Sequence, residues 1–409
     1  MNNLEKEANR CLTCKSPLCL KGCPVLTPIP DIIKLYRQGN ISEAGRILFE
    51  NNPLSSVCSV VCPSDADCKA FCILNHIGKP LEFPELENFL SSSFLDNFDV
   101  HIAPKNGFRV AVIGAGPAGI SLSYWLLLDG FEVTLFDDNS EIGGILRYGI
   151  PEFRLSKIYL DKLIKNLFSL GLKFRPNTLV GPTLTLDDLF EDGYDAIFVG
   201  TGAWKPKKLK VKGESLGHVM YAVDFLKNPK SMRMGQQVYV VGAGNVAVDV
   251  ARTIKRDGSN VTILNIDSEE QIVASKHEVE NAKNEGVEFL HNTSVTSIVP
   301  HGLSIAEGTL GETGFIPSGE SRLLPADNIV IAIGQIARTN LAQTASDLKL
   351  NSKNLLEVQP DGHTTKRGVF AAGDVSTGGK TVVSAVAGAK IVYDSIKEYC
   401  LTIKKTPNM

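Results

Sequence analysis

The sequence contains two copies of one glycine-rich pattern, and this repetition constrains the fold more than any other feature of the chain. The first copy begins RVAVIGAGPAGIS and the second begins QVYVVGAGNVAVD, so that a β-branched run leads into the glycines each time. In each copy the second predicted strand ends 23 residues after the first glycine, at Asp137 and at Asn265. Two strands joined by a helix across such a turn form a βαβ unit. We therefore predict an α/β chain with two Rossmann-like domains, the second inserted in the first.

The first copy matches the G-x-G-x-x-G fingerprint of dinucleotide-binding proteins, with Gly114, Gly116 and Gly119 in the three glycine positions. The first glycine permits the tight turn, the second lets the backbone approach a pyrophosphate, and the third lets the helix pack closely on the strand. Asp137 ends the following strand, where an acid accepts hydrogen bonds from an adenosine ribose. These features together predict a dinucleotide site rather than an ordinary glycine turn.

The second copy carries Gly242, Gly244 and Ala247, and the fingerprint allows alanine in the third position. Two such folds in one chain indicate two dinucleotides, most simply a bound flavin and a nicotinamide nucleotide. The segment AAGD, which ends at Asp374, supports this interpretation. A strand that ends in Gly-Asp before a helix brings a carboxylate and a helix N-terminus near the middle of an extended cofactor.

Eight of the nine cysteines lie between Cys11 and Cys72, and the ninth, Cys400, lies near the C-terminus. They form two groups, Cys11-x2-Cys14-x4-Cys19-x3-Cys23-Pro and Cys58-x3-Cys62-Pro-x5-Cys68-x3-Cys72. Clustered cysteines with a cysteine-proline ending favour two [4Fe–4S] clusters, which would give a flavin an outlet for its electrons. Structural zinc and disulfides stay open as alternatives. The paired C-x2-C knuckles of zinc sites are matched only in part, and a reducing compartment disfavours disulfides.

The residues before the first glycine turn have a helical pattern. Apolar residues recur at helical spacing in IPDIIKLYRQGNISEAGRILFENNP, which predicts two short amphipathic helices with a turn at Gly39-Asn40. The polar stretch from Ser91 to Asn106 predicts a linker. We therefore expect a small all-α iron–sulfur domain at 1–105, a flavin-binding domain at 106–228 and 321–409, and a nicotinamide-nucleotide domain at 229–320.

The charge balance argues against some classes of partner. Lys plus Arg is 42 and Asp plus Glu is 45, which gives a net charge of -3 and predicts no nucleic-acid partner.

No apolar run approaches the roughly 20 residues of a membrane helix, so we expect no membrane attachment. The polar N-terminus MNNLEKEANR resembles neither a signal nor a transit peptide, which predicts a cytoplasmic location.

Several motifs in combination resemble one protein family. They are GAGPAG, GGILRYGIPEFRL, GTGA, GAGNVAVDVA, IGQ and GVFAAGDV. Together they resemble the small subunit of glutamate synthase and the N-terminal half of dihydropyrimidine dehydrogenase, over essentially the whole chain. The longer cysteine spacing of NPLSSVCSVVCPSDADC and the segments AVDFLK, ASKHEVENAK, IGQIAR and GGKTVVSAV are similar to the flavoprotein subunit of bacterial NAD-dependent dihydropyrimidine dehydrogenases.

The resemblance implies that FAD binds at the first glycine turn and a nicotinamide nucleotide at the second. The FAD contacts then expected are Gly114, Gly116, Pro117, Ala118, Gly119, Asp137, Gly144, Arg154, Gly202, Gly373, Asp374, Thr381 and Val382. The nicotinamide nucleotide contacts are Gly242, Gly244, Asn245, Val246, Ala247 and Asn265. Hydride transfer between the two cofactors depends on positioning, so no catalytic residue is expected.

The sequence after the second strand of the nicotinamide unit predicts a preference for NADH over NADPH. NADP-using relatives typically carry an arginine pair there, which forms charge-assisted bonds to the 2′-phosphate of the nucleotide. This chain has Asn265-Ile266-Asp267 instead, and the Asp267 carboxylate would repel a phosphate.

The resemblance also implies a ligand set for each cluster. The first cluster takes Cys11, Cys14, Cys19 and Cys72, and the second takes Cys23, Cys62, Cys68 and the carboxylate of Glu87. Cys58 matches a family cysteine that is not a ligand. The residues alone would instead assign all eight thiols to two clusters, and Glu87 would be a solvated helix acid.

The resemblance implies a subunit that takes hydride from NADH onto FAD and passes electrons through the clusters to an FMN- and iron–sulfur-containing catalytic subunit, where uracil or thymine is reduced. Delivery to the large subunit of glutamate synthase is the alternative. A self-contained disulfide reductase would need a redox C-x-x-C beside the flavin, and the chain has no cysteine from Ile73 to Tyr399. A scaffold without redox chemistry fits poorly with intact glycines, Asp137 and Asp374.

Overall fold

Helices build the N-terminal part of the chain in the computed structural model, which describes residues 3–312 and 314–404. They are α1 (Asn3–Arg10), α2 (Leu18–Gly22), α3 (Ile29–Arg37), α4 (Ile41–Asn51), α5 (Ser55–Val61) and α6 (Phe83–Asp96), with a 3₁₀ helix at Ile73–Ile77. The two predicted amphipathic helices are confirmed as α3 and α4, and Gly39 takes φ +78° in the turn between them. Ile32, Ile33 and Leu48 are fully buried and pack with residues of α6 in one core.

The stretch from Ser91 to Asn106 is not a linker throughout, because α6 continues to Asp96. Ser91 is fully buried, and its hydroxyl donates a hydrogen bond to Ser55 Oγ at 2.7 Å. Phe94 is buried on the same helix, with its ring centroid 5.1 Å from that of Phe49. The linker prediction was wrong for these residues because a serine can be buried when another side chain satisfies its hydroxyl.

The rest of the chain alternates strands and helices in three stretches. The first stretch holds β1 (Arg109–Ile113), α7 (Pro117–Leu128), β2 (Glu132–Phe136), α8 (Ile145–Tyr148), α9 (Lys157–Ser169), β3 (Lys173–Arg175), α10 (Leu186–Glu191) and β4 (Ala196–Val199). The second holds β5 (Lys205–Pro206), β6 (Val219–Tyr221), α11 (Ala222–Lys227), β7 (Gln237–Val241), α12 (Asn245–Arg256), β8 (Asn260–Leu264), α13 (Lys276–Asn284), β9 (Glu288–Leu290), β10 (Thr293–Val299), β11 (Gly302–Gly311), β12 (Gly314–Pro317), β13 (Arg322–Pro325), β14 (Asn328–Ile331) and β15 (Gln335–Ile336), with 3₁₀ helices at Pro229–Ser231 and Glu269–Gln271. The third holds α14 (Asn340–Thr344), β16 (Val369–Ala371), α15 (Asp374–Thr377) and α16 (Val382–Lys404).

The first glycine turn follows an inner strand of a five-stranded parallel sheet with the order β16-β4-β1-β2-β3. Val110 of β1 pairs with Val133 on one side and with Ala196 on the other. In a sheet of this kind the crevice for a ligand opens at the carboxyl ends of the strands, where successive connections leave in opposite directions. Gly114 directly follows β1 and therefore lies at such a position.

The second glycine turn repeats this arrangement in another five-stranded parallel sheet, with the order β6-β14-β7-β8-β9. An antiparallel sheet of β10, β11, β12 and β13 and a two-stranded ribbon of β5 and β15 complete this part of the chain. The chain then returns to the first sheet, because β16 pairs in parallel with β4. The second Rossmann-like fold is therefore inserted in the first, as the sequence predicts.

The contacts divide the chain into two units. The first comprises the residues up to Leu146, Glu152–Ala203 and the residues from Ala337 onward, and the second comprises Arg147–Pro151 and Trp204–Ile336. The second unit extends beyond the predicted 229–320 at both ends because β6 and β14 pair within its sheet. Among the described residues, no helix combines the length and the apolar character that crossing a bilayer needs.

A buried arginine joins α12 to α13 in the second unit. The guanidinium of Arg252 binds the carboxylates of Glu278 and Glu285, the latter at 2.8 Å, and its side chain is only 7% exposed. Arg256 reaches Glu285 at 2.6 Å from the solvent side. Hydrogen bonds from Arg252, and then from Arg256, lower the pKa of Glu285 to about 2.

We expect Arg252→Leu to lower the free energy of unfolding of the second unit by about 3 kcal/mol at neutral pH, because it leaves two carboxylates without their buried partner. The deficit should shrink as pH falls towards the folded pKa of Glu285. A carboxyl group with a lowered pKa stabilises the fold above its unfolded pKa, and this contribution is lost as the group is protonated. Urea unfolding at several pH values, followed by circular dichroism, measures both effects.

Arg256→Leu is the matched control, because it removes the same charge from the same helix at a side chain that is 46% exposed. Exposed ion pairs contribute at most about 1 kcal/mol, so this variant should lose far less stability. Equal losses in the two variants would contradict the assignment of the stabilisation to the buried pair.

Candidate functional site

The first glycine turn has no space for a side chain at two of its three fingerprint positions. A Cβ at Gly119 would lie 2.0 Å from the carbonyl oxygen of Gly114, and one at Gly114, where φ is +104°, would lie 2.4 Å from the oxygen of Gly200. At Gly116, the N-cap of α7, the nearest atom to a Cβ would be Gly144 Cα at 3.9 Å. The turn therefore keeps room beside Gly116, where the fingerprint expects a pyrophosphate.

Segments that are far apart in the sequence meet at the start of α7, of which Pro117 and Ala118 form the first turn. A Cβ at Gly144 would lie 2.6 Å from Gly116 Cα, and one at Gly373 would lie 3.5 Å from Ala118 Cβ. The structure thus brings three of the predicted FAD segments together at one helix N-terminus. Of the other predicted residues, Gly202 takes φ +69° in the GTGA segment and Arg154 is half-buried before α9.

Asp137 directly follows β2, as predicted, but its carboxylate already has partners within the chain. Oδ2 accepts a hydrogen bond from the Ala115 N–H at 2.6 Å, and Oδ1 accepts from the Asn139 N–H at 2.8 Å. Burial raises the pKa of Asp137, although these hydrogen bonds lower it. The carboxylate therefore supports the glycine turn directly, and contact with a ribose stays a prediction.

The Gly-Asp segment places a buried carboxylate before the last helix. Gly373 takes φ +79°, and Asp374 Oδ1 accepts a hydrogen bond from the Lys380 N–H at 3.0 Å. Burial raises the pKa of Asp374 to about 6. Thr381 caps α16, because its Oγ1 accepts from the Ser384 N–H at 3.2 Å. The 23-residue α16 begins at Val382, so its free N–H groups lie next to the two predicted positions Thr381 and Val382.

The second glycine turn repeats the geometry of the first. A Cβ at Gly242, where φ is +118°, would lie 2.5 Å from the carbonyl oxygen of Ala332, whereas nothing lies within 4 Å of one at Gly244. Gly244 is the N-cap of α12, and Ala247 is fully buried in the third fingerprint position. Alanine is accommodated there, as the fingerprint allows, and Val246 packs partly buried against the core of this unit.

Two residues predicted to contact the nucleotide, Asn245 and Asn265, instead form hydrogen bonds within the chain. Asn245 Oδ1 accepts a hydrogen bond from the Ser275 N–H at 3.0 Å. Asn265 is 3% exposed, its Nδ2 donates to the Asp267 carbonyl at 3.1 Å, and its Oδ1 lies 3.0 Å from His291 Nδ1. Sequence reasoning missed His291. It follows β9, which pairs with β8, so the register of these two strands brings it beside Asn265.

Five thiols of the helical domain line one cavity, and four of them are those of the first predicted ligand set. The cavity is lined by Cys11, Cys14, Cys19 and Cys72, with Cys68 and apolar residues such as Leu12, Leu18, Phe71 and Ile73. Burial raises the pKa of Cys19 to about 11, and Cys72, Cys11 and Cys14 raise it as well. The sulfurs are therefore close enough to interact electrostatically.

Residues of the second predicted set influence one another electrostatically. Burial raises the pKa of Cys68 to about 12, with further increases from Glu87 and Cys23, and the pKa of Cys23 is raised by burial and by Glu87. Glu87 is 8% exposed on α6, and burial raises its pKa well above the ordinary range. It is therefore not the solvated helix acid of the alternative interpretation. Cys62 interacts with both Glu87 and Cys23.

Cys58 lies one helical turn before Cys62 on α5 and is itself buried. The two thiols form a hydrogen bond, which lowers the pKa of Cys58 and raises that of Cys62. Cys58 is thus a neighbour of the second set, at a distance from which it interacts with Glu87 as well. The geometry leaves Cys58 and Glu87 as the two candidates for the fourth ligand position.

The donor sets fit iron–sulfur clusters. Thiolates are soft ligands, and in a cubane each iron takes one protein ligand of its own, so the four ligands do not need to converge on one point. Among the described residues, no three His, Cys, Asp or Glu side chains converge closely enough to hold a single metal ion. The thiols of the first set instead surround a shared cavity.

Two family models match the chain. The model described as pyridine nucleotide-disulphide oxidoreductase matches residues 108–389, and the model described as dihydropyrimidine dehydrogenase domain II, 4Fe-4S cluster, matches residues 1–98. The first covers both glycine turns and the Gly-Asp segment. The second covers both cysteine groups and Glu87.

Curated relatives match nearly the full length. The glutamate synthase [NADPH] small chain of Escherichia coli (strain K12) is 32% identical over 96% of this chain and 90% of its own length. The NAD-dependent dihydropyrimidine dehydrogenase subunit PreT of the same organism is 32% identical over 96% of this chain and 93% of its own length. Among solved structures, Mycobacterium tuberculosis FprA in complex with NADPH has a TM-score of 0.62 over 73% of this chain and 86% of that chain, at 18% identity, which supports the fold alone.

We predict that anaerobically purified protein contains about eight irons per chain, the content of two [4Fe–4S] clusters. Cys62→Ser should reduce this to about four, because it removes a ligand of the second cluster. Cys58→Ser should keep about eight, because the ligand set that the resemblance implies places Glu87, and not Cys58, in the fourth position. Iron and acid-labile sulfide analysis measures both contents.

Cys400→Ser is the matched control, since Cys400 is buried in α16 and belongs to neither cysteine group. Loss of a cluster in Cys58→Ser would assign the fourth position to Cys58 instead of Glu87. Stoichiometric zinc without iron–sulfur absorbance would contradict the cluster assignment altogether.

Proposed function

We propose that this chain, which belongs to the pyridine nucleotide-disulphide oxidoreductase family, takes hydride from NADH onto FAD and passes the electrons through two [4Fe–4S] clusters to a partner subunit that reduces uracil or thymine. Its near-full-length relatives make it a flavin- and iron–sulfur-containing NAD(P)-dependent oxidoreductase subunit. The number of clusters, the nucleotide, the partner and the substrate belong to the proposal. The observation that carries it is that both cysteine groups lie in the same unit as the first glycine turn.

The proposed roles of the chain's residues follow from their positions. The start of α7 would bind the FAD pyrophosphate through its free N–H groups. Asp374 and the N-terminus of α16 would lie along the extended cofactor. FAD bound there would supply the conversion between two-electron hydride chemistry and single-electron transfer. The residues around it need only orient the two cofactors and keep water out.

The two ligand sets provide the exit for electrons in this proposal. Cys11, Cys14, Cys19 and Cys72 would hold the first cluster, and Cys23, Cys62, Cys68 and Glu87 the second. Disulfide chemistry, which the family name suggests, is not proposed. The residues that match that family model, 108–389, contain no cysteine. We also propose that the protein works in the cytoplasm, where thiols stay reduced.

The relatives differ in the nucleotide that their names print, so the local residues support the choice of NADH. The loop after β8 carries Asp267, Glu269 and Glu270. A hydrogen bond from Lys283 lowers the pKa of Glu269, one from Ser268 lowers that of Glu270, and His291 lowers both further, so both are carboxylates near the Asn265 end of the site. Glu269 is paired with Lys283, so Asp267 and Glu270 supply the uncompensated negative charge. A 2′-phosphate would approach this negative charge, whereas the uncharged ribose of NADH would not.

Asp267→Arg should raise kcat/KM for NADPH about tenfold or more relative to NADH, because an arginine there forms a charge-assisted bond with the 2′-phosphate. Asp257→Arg is the matched control, since it makes the same charge change just after the C-terminal end of α12. Steady-state dye reduction with each nucleotide measures the ratio. A wild-type preference for NADPH would overturn the proposed use of NADH.

A second candidate function is delivery of electrons to the large subunit of glutamate synthase. The observation that favours it is the 32% identity to a glutamate synthase small chain over 96% of this chain, equal to that of PreT. The two candidates share the flavin and the clusters and differ only in the recipient. They are therefore separated by the partner and not by any chemistry within this chain.

The experiment combines the purified chain with each candidate partner. Alone, it should reduce ferricyanide with NADH but give no uracil-dependent oxidation of NADH. With an FMN- and iron–sulfur-containing pyrimidine-reducing subunit it should gain that activity and co-elute with the subunit. Cys62→Ser should keep most of the ferricyanide reduction, which the flavin can support, and should lose the partner-dependent reaction.

Each alternative has its own result in this experiment. Uracil turnover by the isolated chain would contradict the division of labour between two subunits. Failure with the pyrimidine partner together with success with a glutamate synthase large subunit would select the second candidate. Absence of NADH-dependent dye reduction by flavin-loaded protein would contradict both.

A further inference from the structure

A lysine on the last helix of the flavin-binding part forms a hydrogen bond to the helical domain. Lys390 lies about two turns after the start of α16, whose N-terminus adjoins Asp374. Its Nζ donates a hydrogen bond to Asn51 Oδ1 at 2.6 Å and lies 3.4 Å from the Asn51 carbonyl oxygen. Asn51 is the last residue of α4. The lysine therefore connects the flavin-side helix to the domain that carries the cysteines.

The hydrogen-bonded contacts continue from Asn51 to a cysteine of the second ligand set. Asn51 Nδ2 lies 3.5 Å from Thr27 Oγ1, which is the longest link. Thr27 is buried, and its Oγ1 lies 3.3 Å from Cys23 Sγ. The four residues Lys390, Asn51, Thr27 and Cys23 all belong to the first unit.

Each hydrogen bond in this series is donated in the direction of the Cys23 sulfur. Lysine can only donate, so Asn51 uses its oxygen for Lys390 and its amide hydrogens for Thr27. The Thr27 hydroxyl then accepts from Asn51 and keeps its own hydrogen for Cys23. A thiolate bound to iron has no hydrogen, so it can only accept this bond.

Two electrostatic effects act on Lys390. Burial lowers its pKa, whereas the negative charges of Asp394 and Cys23 raise it. Asp394 is exposed one helical turn further along α16. The interaction with Cys23 indicates that the ammonium group lies close enough to the second ligand set for its charge to act there.

We propose that Lys390, Asn51 and Thr27 form a relay that raises the reduction potential of the cluster bound by Cys23. The inference rests on the proposed function, since it requires that cluster. Reduction adds one electron, and hence one negative charge, to the cluster. A nearby cation and a hydrogen bond to a ligating sulfur both stabilise the reduced form, and these are known determinants of cluster potential. The three residues are positioning residues, because none of them is a ligand.

Removing either end of the relay should lower the midpoint potential of this cluster and leave the other unchanged. Lys390→Gln removes the charge, and Thr27→Val removes the hydroxyl with little change in shape. EPR-monitored redox titration of the purified protein measures both potentials. The affected signal is identified as the one that is lost in Cys62→Ser. The double variant should shift by less than the sum of the single shifts, because residues within one network are not additive.

Two control variants separate the relay from general effects of charge. Lys390→Arg keeps the positive charge and should retain most of the potential. Lys397→Gln makes the same charge change two turns further along α16, where the lysine pairs with Asp129 at 2.6 Å, and should leave both potentials unchanged. Iron and flavin contents near those of the unmodified protein show that the variants are folded and loaded.

The outcomes distinguish this inference from the proposed function. Protein with two clusters whose potentials are unchanged in both Lys390→Gln and Thr27→Val would overturn the relay and leave the proposed function intact. An equal shift in Lys397→Gln would also overturn it, since the effect would then be one of net charge. Protein without clusters would overturn the proposed function itself.

Discussion

The close approach of the Gly119 backbone to the Gly114 carbonyl oxygen determines where α7 can lie, and much of the first unit depends on that helix. A Cβ there would come within 2.0 Å of the oxygen, so the strand and the helix pack backbone against backbone. The other end of α7 contacts the helical domain: Trp125 Nε1 donates to the Glu50 carbonyl oxygen at 2.8 Å, and the Tyr124 ring lies 5.4 Å from that of Phe49. α7 thus connects the glycine turn to the cysteine domain, as the proposed transfer of electrons between them requires.

The helical domain buries thiol and carboxyl groups, and burial favours their uncharged, protonated forms. Burial raises the pKa of Cys11, Cys19, Cys23 and Cys68, and that of Glu87 as well. Metal ligation requires the deprotonated form, so cluster binding must displace protons from these groups. The binding of the clusters and the stability of this domain are therefore coupled, although the domain also has an apolar core of its own.

Where the structure departs from expectation, side-chain partners distant in the sequence are the reason. α6 extends into the predicted linker because the Ser91 hydroxyl donates a hydrogen bond to Ser55 and because Phe94 packs on Phe49. Asn265 occupies the predicted position at the end of β8, but His291 and the Asp267 carbonyl take up its amide. Ser55, Phe49 and His291 all lie outside the local sequence of the residues they contact, so composition and periodicity had no means of predicting these contacts.

The sequence by itself determined the parts of this protein that depend on short-range patterns. The spacing of glycines after a β-branched run specifies a turn and a helix N-terminus. The spacing of the cysteines indicates a metal-binding segment that is distinct from the flavin-binding part. Both patterns are properties of neighbouring residues. Tertiary structure decided which thiols share a cavity, that Glu87 is buried beside the second set, and that Lys390 reaches Asn51 across 339 positions of the chain. Those contacts depend on how α5, α6 and α16 pack, and packing is a property of the whole unit rather than of any segment within it.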